Sequence, residues 1–154
     1  MSILDEYLNP KVDIGKLVIG KTICYRVGQK TCYGKIAATH LESLGAVRVE
    51  VLEYRYEGEY EYVYVPDILA ILPDKVTLEA IKQGSIIRYR LPSSDSPTRP
   101  CRVWRGKVLL NYGNDWNCHI YKVSLLAPGY DDCTERVTLS QVVLVEVIEG
   151  ADLR

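Results

Sequence analysis

Phenylalanine is absent from this chain, methionine occurs once, at the first position, and only two histidines are present, His40 and His119. No apolar run approaches the ~18 residues that a membrane-crossing helix needs, so no span is expected. The opening MSILDEYLNP carries acids early and no long apolar stretch, which excludes the pattern of a signal peptide. The five cysteines, Cys24, Cys32, Cys101, Cys118 and Cys133, are odd in number and never stand as CxxC. Neither a disulfide framework nor a zinc knuckle is expected from them, and most of them read as small buried hydrophobes of a cytoplasmic protein. No glycine-rich phosphate loop or dinucleotide fingerprint occurs. A net charge of −1 removes any global electrostatic argument for nucleic acid or an anionic membrane.

What is there is tyrosine, used twelve times, in a chain that is 47% hydrophobic and 25% charged. Valine, isoleucine and tyrosine dominate the apolar set and favour strands. One stretch occurs twice: VDIGKLVIGKTICYRV from Val12 to Val27, and VTLEAIKQGSIIRYRL from Val76 to Leu91, at an offset of 64. Val12/Val76, Gly20/Gly84, Ile23/Ile87, Tyr25/Tyr89 and Arg26/Arg90 are identical pairs. Ile14/Leu78, Leu17/Ile81 and Val27/Leu91 are conservative ones. Each copy reads as one turn of amphipathic structure, a glycine stop and a strand. A domain starts twice, and at 154 residues two small domains fit the length.

The expected organisation is a helical turn over residues 1–11, a first repeat over 12–72, a linker at 73–75, a second repeat over 76–147 and a tail over 148–154. In repeat one, Thr22–Val27 and Cys32–Ala38 read as strands. Cys32, Gly34, Ile36 and Ala38 share one face there, and Tyr33, Lys35 and Ala37 the other. His40–Gly45 reads as a loop. Ala46–Tyr54 alternates, with Val47, Val49 and Val51 inward, as a half-buried strand does. Glu57-Gly58 marks a hairpin, and Glu59–Val65 is its partner, with Val63 and Val65 inward and Tyr60, Tyr62 and Tyr64 outward. A tight turn at Pro66-Asp67-Ile68-Leu69 and a short closing strand through Leu72 complete the unit. Thr77 is placed to cap the turn that opens repeat two. In that repeat Arg105-Gly106-Lys107-Val108 falls on Tyr33-Gly34-Lys35-Ile36 at an offset of 72, and Val123 and Leu125 fall on Val49 and Val51 at 74. The growing offset puts the extra residues into the polar loop Ser93–Pro100 and the turn Asn111–Asn117, where insertions are tolerated.

Five short strands in about 60 residues, with a turn before the last, mark a small partly open barrel. Gly34-Lys35-Ile36 and Gly106-Lys107-Val108, followed by the alternating third strand, the hairpin and the aliphatic ending, resemble SH3-like barrels of the Tudor and KOW kind. That resemblance covers most of both repeats. It implies an all-β chain of two tandem SH3-like five-stranded barrels, each preceded by a short helical turn. Glu53-Tyr54-Arg55-Tyr56-Glu57-Gly58 matches the turn after strand three of Tudor domains only loosely, so no aromatic cage is carried over.

Two features point to binding. Basic residues gather in strands one and two of each repeat, whereas acids gather in the later strands of repeat one. Arg26, Lys35, Arg88, Arg90, Arg105 and Lys107 are candidate phosphate contacts, with Tyr33 and Trp104 beside them for stacking on nucleic acid or a nucleoprotein complex. The opposing reading pairs these cations with acidic strands of the same molecule. The second feature is the row Tyr60, Tyr62 and Tyr64 with Tyr54 and Tyr56 across the hairpin, a candidate protein-interaction or homodimer face. Neither a Cys-His nucleophile pair nor a metal site has supporting spacing, and alternation turns Cys118 and His119 to opposite faces of a strand. The expectation is a non-catalytic adaptor without a cofactor or a membrane partner.

Overall fold

The computed structural model describes residues 12–53, 59–90, 103–115, 118–126, 129–130 and 132–147. The N-terminal turn, Tyr54, Tyr56, the Glu57-Gly58 hairpin, the loop Ser93–Pro100, Trp116 and the tail over 148–154 lie outside the described residues. The chain divides into two compact units, Met1–Asp74 with Val147–Arg154, and Lys75–Glu146.

In the first unit, a 3₁₀ turn (Ile14–Lys16) precedes β1 (Thr22–Val27), β2 (Lys30–His40), β3 (Ala46–Val51), β4 (Tyr60–Tyr64) and β5 (Ile68–Ile71). A second 3₁₀ turn, Val65–Asp67, stands just before β5, with Pro66 near its start, where the missing N–H costs nothing. All pairings are antiparallel and the sheet order is β4-β3-β2-β1-β5. The second unit repeats this plan. A 3₁₀ turn (Leu78–Ala80) precedes β6 (Ile86–Arg90), β7 (Val103–Asp115), β8 (Cys118–Leu125), β9 (Thr134–Thr138) and β10 (Val142–Val145), in the order β10-β6-β7-β8-β9. The chain is thus all-β, built from two five-stranded antiparallel sheets with little helix.

The sequence offsets reappear as backbone hydrogen bonds. Gly20 N–H donates to Ile36 O and Gly84 N–H to Val108 O; Ile36 N–H donates to Lys21 O and Val108 N–H to Ser85 O. Leu52 N–H reaches Tyr33 O as Leu126 N–H reaches Arg105 O. The bulge between Ile36 and Ala38 recurs between Val108 and Leu110. Gly20 and Gly84 adopt φ of 97° and 91°, a left-handed turn that glycine enters without steric cost, and this accounts for the identical pair.

Alternation builds one core per unit. Leu17, Ile23, Tyr25, Ile36, Val47, Val49, Val63 and Ile68 form the first; Ile81, Ile87, Tyr89, Val108, Tyr121, Val123 and Val137 are the central members of the second. Each such aliphatic contributes about 1.5–3 kcal/mol on full burial. Gly34 and Gly106 are smooth strand positions, but their missing side chains matter. A Cβ on Gly34 would sit 2.9 Å from Val49 Cγ2, and one on Gly106 would sit 3.1 Å from Tyr89 Cε1.

Local details differ from the sequence reading. His40–Gly45 is not wholly loop: Leu41–Leu44 makes one helical turn, closed by Gly45 at φ 64°. Asn111–Asn117 is not simply a turn, because β7 runs on to Asp115 in a long hairpin with β8. A second bulge at Asn111/Gly113, where Asn111 Oδ1 accepts the Gly113 N–H and Gly113 takes φ 79°, lets the strand continue. Thr77 makes no side-chain cap; at the matching place in unit one, Asp13 Oδ1 accepts the Gly15 N–H.

Candidate binding faces

Each sheet has a core face and an outer face, and the outer faces carry the candidate residues. In the first unit the rows across the outer face follow the register. Lys35 lies opposite Glu50, which lies opposite Tyr60; Ala38 lies opposite Arg48, which lies opposite Tyr62. Tyr60, Tyr62 and Tyr64 are 50%, 52% and 47% exposed, while Val63 between them is buried. The Arg48 guanidinium stands 4.5 Å from the Tyr60 ring centroid, and the His40 ring lies 5.7 Å from that of Tyr62. Both distances suit cation–π and tilted-ring contact. β4 ends the sheet order, with β3 on one side. Tyr62 also lines a cleft with Arg26, Glu61 and Asp67 at the far end of β1.

Below that face, Glu61 points inward and accepts a hydrogen bond from Tyr25 Oη at 2.5 Å. The same pair recurs in the second unit, where Tyr89 Oη donates to Glu135 at 3.5 Å. Burial, then the neighbouring carboxylate, pushes both phenol pKa values well above the usual tyrosine value. Burial likewise raises Glu135 against the lowering effect of its Tyr89 bond. These ionisable groups hold the fold.

The basic residues of strands one and two are not all surface groups. Arg88 is 2% exposed and its Nε donates to Glu146 Oε2 at 2.9 Å. Arg105 grips the same carboxylate with Nε at 2.7 Å and Nη2 at 2.9 Å. Burial would raise the Glu146 carboxyl; the bonds from Arg105 and the charge of Arg88 outweigh it and hold the pKa below the usual value. Tyr33, expected outward beside Lys35, is 1% exposed, and its hydroxyl accepts the Val147 N–H at 3.0 Å. Arg88 and Tyr33 are therefore corrected from surface contacts to interior groups, and Arg105 is committed to Glu146. Strand alternation gave their side but not the cover over it. Trp104 is half-buried, edge-on to Tyr130 at 5.2 Å and packed against the second core. Arg90 is half-buried beside it on β6. Arg26 is exposed, 4.0 Å from Asp67. Lys35 and Lys107 are exposed at equivalent positions, Lys35 opposite Glu50 and Lys107 opposite Ser124.

The repeat places a revealing exchange here. Arg88, Arg105 and Glu146 occupy the positions that Cys24, Tyr33 and Leu72 hold in the first unit. All three of the latter are buried. One site in the fold is thus apolar in one unit and ionic in the other.

The sequence reading gave no binding role to three outer-face residues of the second unit: Tyr112, Lys122 and Arg136, the last of which it places at a position corresponding to the tyrosine row of repeat one. The available signal was position, since Arg136 falls on Tyr62 and Lys122 on Arg48. Among the described residues no group of three or more His, Cys, Asp and Glu side chains is placed to hold a metal ion. His119 Nε2 shares a 2.5 Å hydrogen bond with Asn111 Oδ1. No helix among the described residues is long and apolar enough to cross a membrane. Compared with models of known protein families and with curated proteins, the chain matches none.

Proposed function

We propose that the protein is a non-catalytic binding module of two SH3-like barrels of the Tudor and KOW kind, and that its protein-binding surface is the β4 edge with its tyrosine row. The barrel reading is supported by the order of each sheet, in which four strands run as a meander and the fifth follows a 3₁₀ turn to pair with the first. The binding reading rests on one observation above all. Three tyrosines about half exposed stand on one face of an edge strand, braced by Arg48 and His40. Tyrosine brings large contact area with few rotatable bonds, and an edge with no further strand among the described residues accepts another strand.

The partner that fits this edge is a second copy of the chain. Two β4 strands paired antiparallel about Tyr62 would set Tyr60 against the partner copy's tyrosine 64 position and Tyr62 against its own counterpart. Every outward pair is then aromatic, which is favourable across strands, and no like charges meet.

Sedimentation velocity over a concentration series tests the proposal. Wild type is expected to form a concentration-dependent dimer, and Tyr62→Ser is expected to stay monomeric with an unchanged circular dichroism spectrum. Wild type that remains monomeric throughout, or a folded Tyr62→Ser that dimerises normally, removes this surface.

A further inference from the structure

The outer face of the second unit differs from that of the first in one consistent direction. Leu110 on β7 lies opposite Lys122 on β8, which lies opposite Arg136 on β9; the neighbouring row sets Lys107 opposite Ser124 and Ser124 opposite Thr134. The corresponding residues of the first unit are Arg48 and Tyr62, then Lys35 and Glu50. The second unit has therefore replaced an acid by Ser124 and a tyrosine by Arg136. Glu135, the acid of β9, points inward to Tyr89, and Glu146 is held by Arg88 and Arg105. Among the described residues, Lys107, Lys122 and Arg136 make no ion pair, and no carboxylate stands between them on this face.

Lys122 and Arg136 are direct cross-strand neighbours, an arrangement of like charges that costs stability. The Arg136 guanidinium is held 5.4 Å from the centroid of the Tyr112 ring, which is itself about half exposed, as is Leu110. Arginine over an aromatic ring keeps its charge and its donors turned to the surface. Three cations on three adjacent strands, with an aromatic ring beside them and no compensating acid among the described residues, complement a chain of phosphates whose bases can stack.

We propose that the outer face of β7, β8 and β9 binds the backbone of single-stranded nucleic acid, with Lys107, Lys122 and Arg136 at phosphates and Tyr112 beside a base. The contacts are to phosphate and to a base face, so DNA and RNA bind alike. This face is independent of the β4 edge of the first unit.

The test is fluorescence anisotropy of the full chain with labelled oligothymidylate and labelled oligouridylate over a range of salt. The expected slope of log affinity against log salt is about −2, from three phosphates at about −0.7 each. The double variant Ser124→Glu/Arg136→Tyr installs the residues that the first unit already carries at these positions. It is expected to fold, to melt at a higher temperature because the like-charge pair is gone, and to bind about tenfold more weakly or worse with a shallower slope. Lys30→Glu makes the same change in net charge on the exposed end of β2 and is expected to leave affinity within about twofold. Lys122→Gln provides a second, milder loss on the face. Unchanged binding by the double variant and by Lys122→Gln overturns the proposal, as does a flat salt dependence. Polyglutamate that competes as well as an oligonucleotide of equal charge also overturns it, and assigns the face to acidic peptides.

Discussion

Glu146 neutralises two arginines of the second unit, one of them fully buried. Glu146→Gln removes the carboxylate charge that Arg88 and Arg105 share, and breaking a buried pair costs about 3–5 kcal/mol. Urea denaturation near neutral pH is expected to show a loss of that order. The pH dependence has a definite sign. The folded carboxyl titrates below its unfolded value, so its contribution is complete above the unfolded pKa of about 4.3 and is lost as pH falls through the folded pKa. The gap between wild type and Glu146→Gln should therefore close on the acid side only. The first unit supplies a sharper comparison. Arg88→Cys, Arg105→Tyr and Glu146→Leu together install its apolar trio, and the triple variant is expected to equal or exceed wild-type stability by about 1–4 kcal/mol while losing that acid dependence. A triple variant weaker than Glu146→Gln would show that the site requires its charges. The paired tyrosines make the alkaline counterpart. Their folded pKa values lie above the unfolded value of about 10, so their contribution is full below that pH and is lost as pH rises beyond it. Tyr25→Phe, which removes the shorter bond, is expected to cost about 1.5–3 kcal/mol, and Tyr89→Phe less.

At the scale of the strand, the Gly-Lys-aliphatic triplets acquire a physical reason. Gly34 pairs with Val51 while the adjoining strand crosses it closely, so an added methyl meets Val49 Cγ2 at 2.9 Å and Glu50 O at 3.1 Å. The second contact is backbone and cannot rotate away. Gly34→Ala is expected to cost about 1–3 kcal/mol by overpacking. Gly106→Ala, whose nearest contact is the Tyr89 ring at 3.1 Å, is expected to cost less; thermal melts of the two variants give the ranking. The elements also show where periodicity misleads. Asn111, Tyr112, Gly113 and Asn114 have the composition of a turn, yet they continue β7, because a bulge with Gly113 at positive φ absorbs the irregularity while the ladder to β8 resumes. That extension is what brings Tyr112 beside Arg136.

At the scale of the whole chain, two units of one topology carry different outer faces, tyrosine-rich in the first and cationic in the second. Hydrogen exchange offers a map of the sheets. Amides of β2 and β7, central in their sheets, are expected to be the slowest, with the edge strands β4, β5, β9 and β10 faster. Above the concentration at which the β4 edges pair, β4 alone among the edges should slow. Protection of β4 that does not change with concentration would contradict pairing between copies.

Sequence alone determined the duplication, the strand-rich class and most strand positions. Val47-Arg48-Val49-Glu50-Val51 and Tyr60 through Tyr64 alternate because one side of a strand meets a core and the other meets water, and that contrast is written in residue type. It also determined the outward tyrosine row, since the inward Val63 fixes the phase. Tertiary structure decided everything on the outer faces that depends on what lies next to what. Arg88 and Arg105 look like free cations until Glu146, 58 and 41 positions away along the chain, closes over them. Tyr33 reads as a surface ring until Val147 meets its hydroxyl. Lys122 and Arg136 read as ordinary charges until the β8–β9 register sets them side by side. A cation's availability is a property of its neighbours across strands, and only the register of the folded sheets assigns those neighbours.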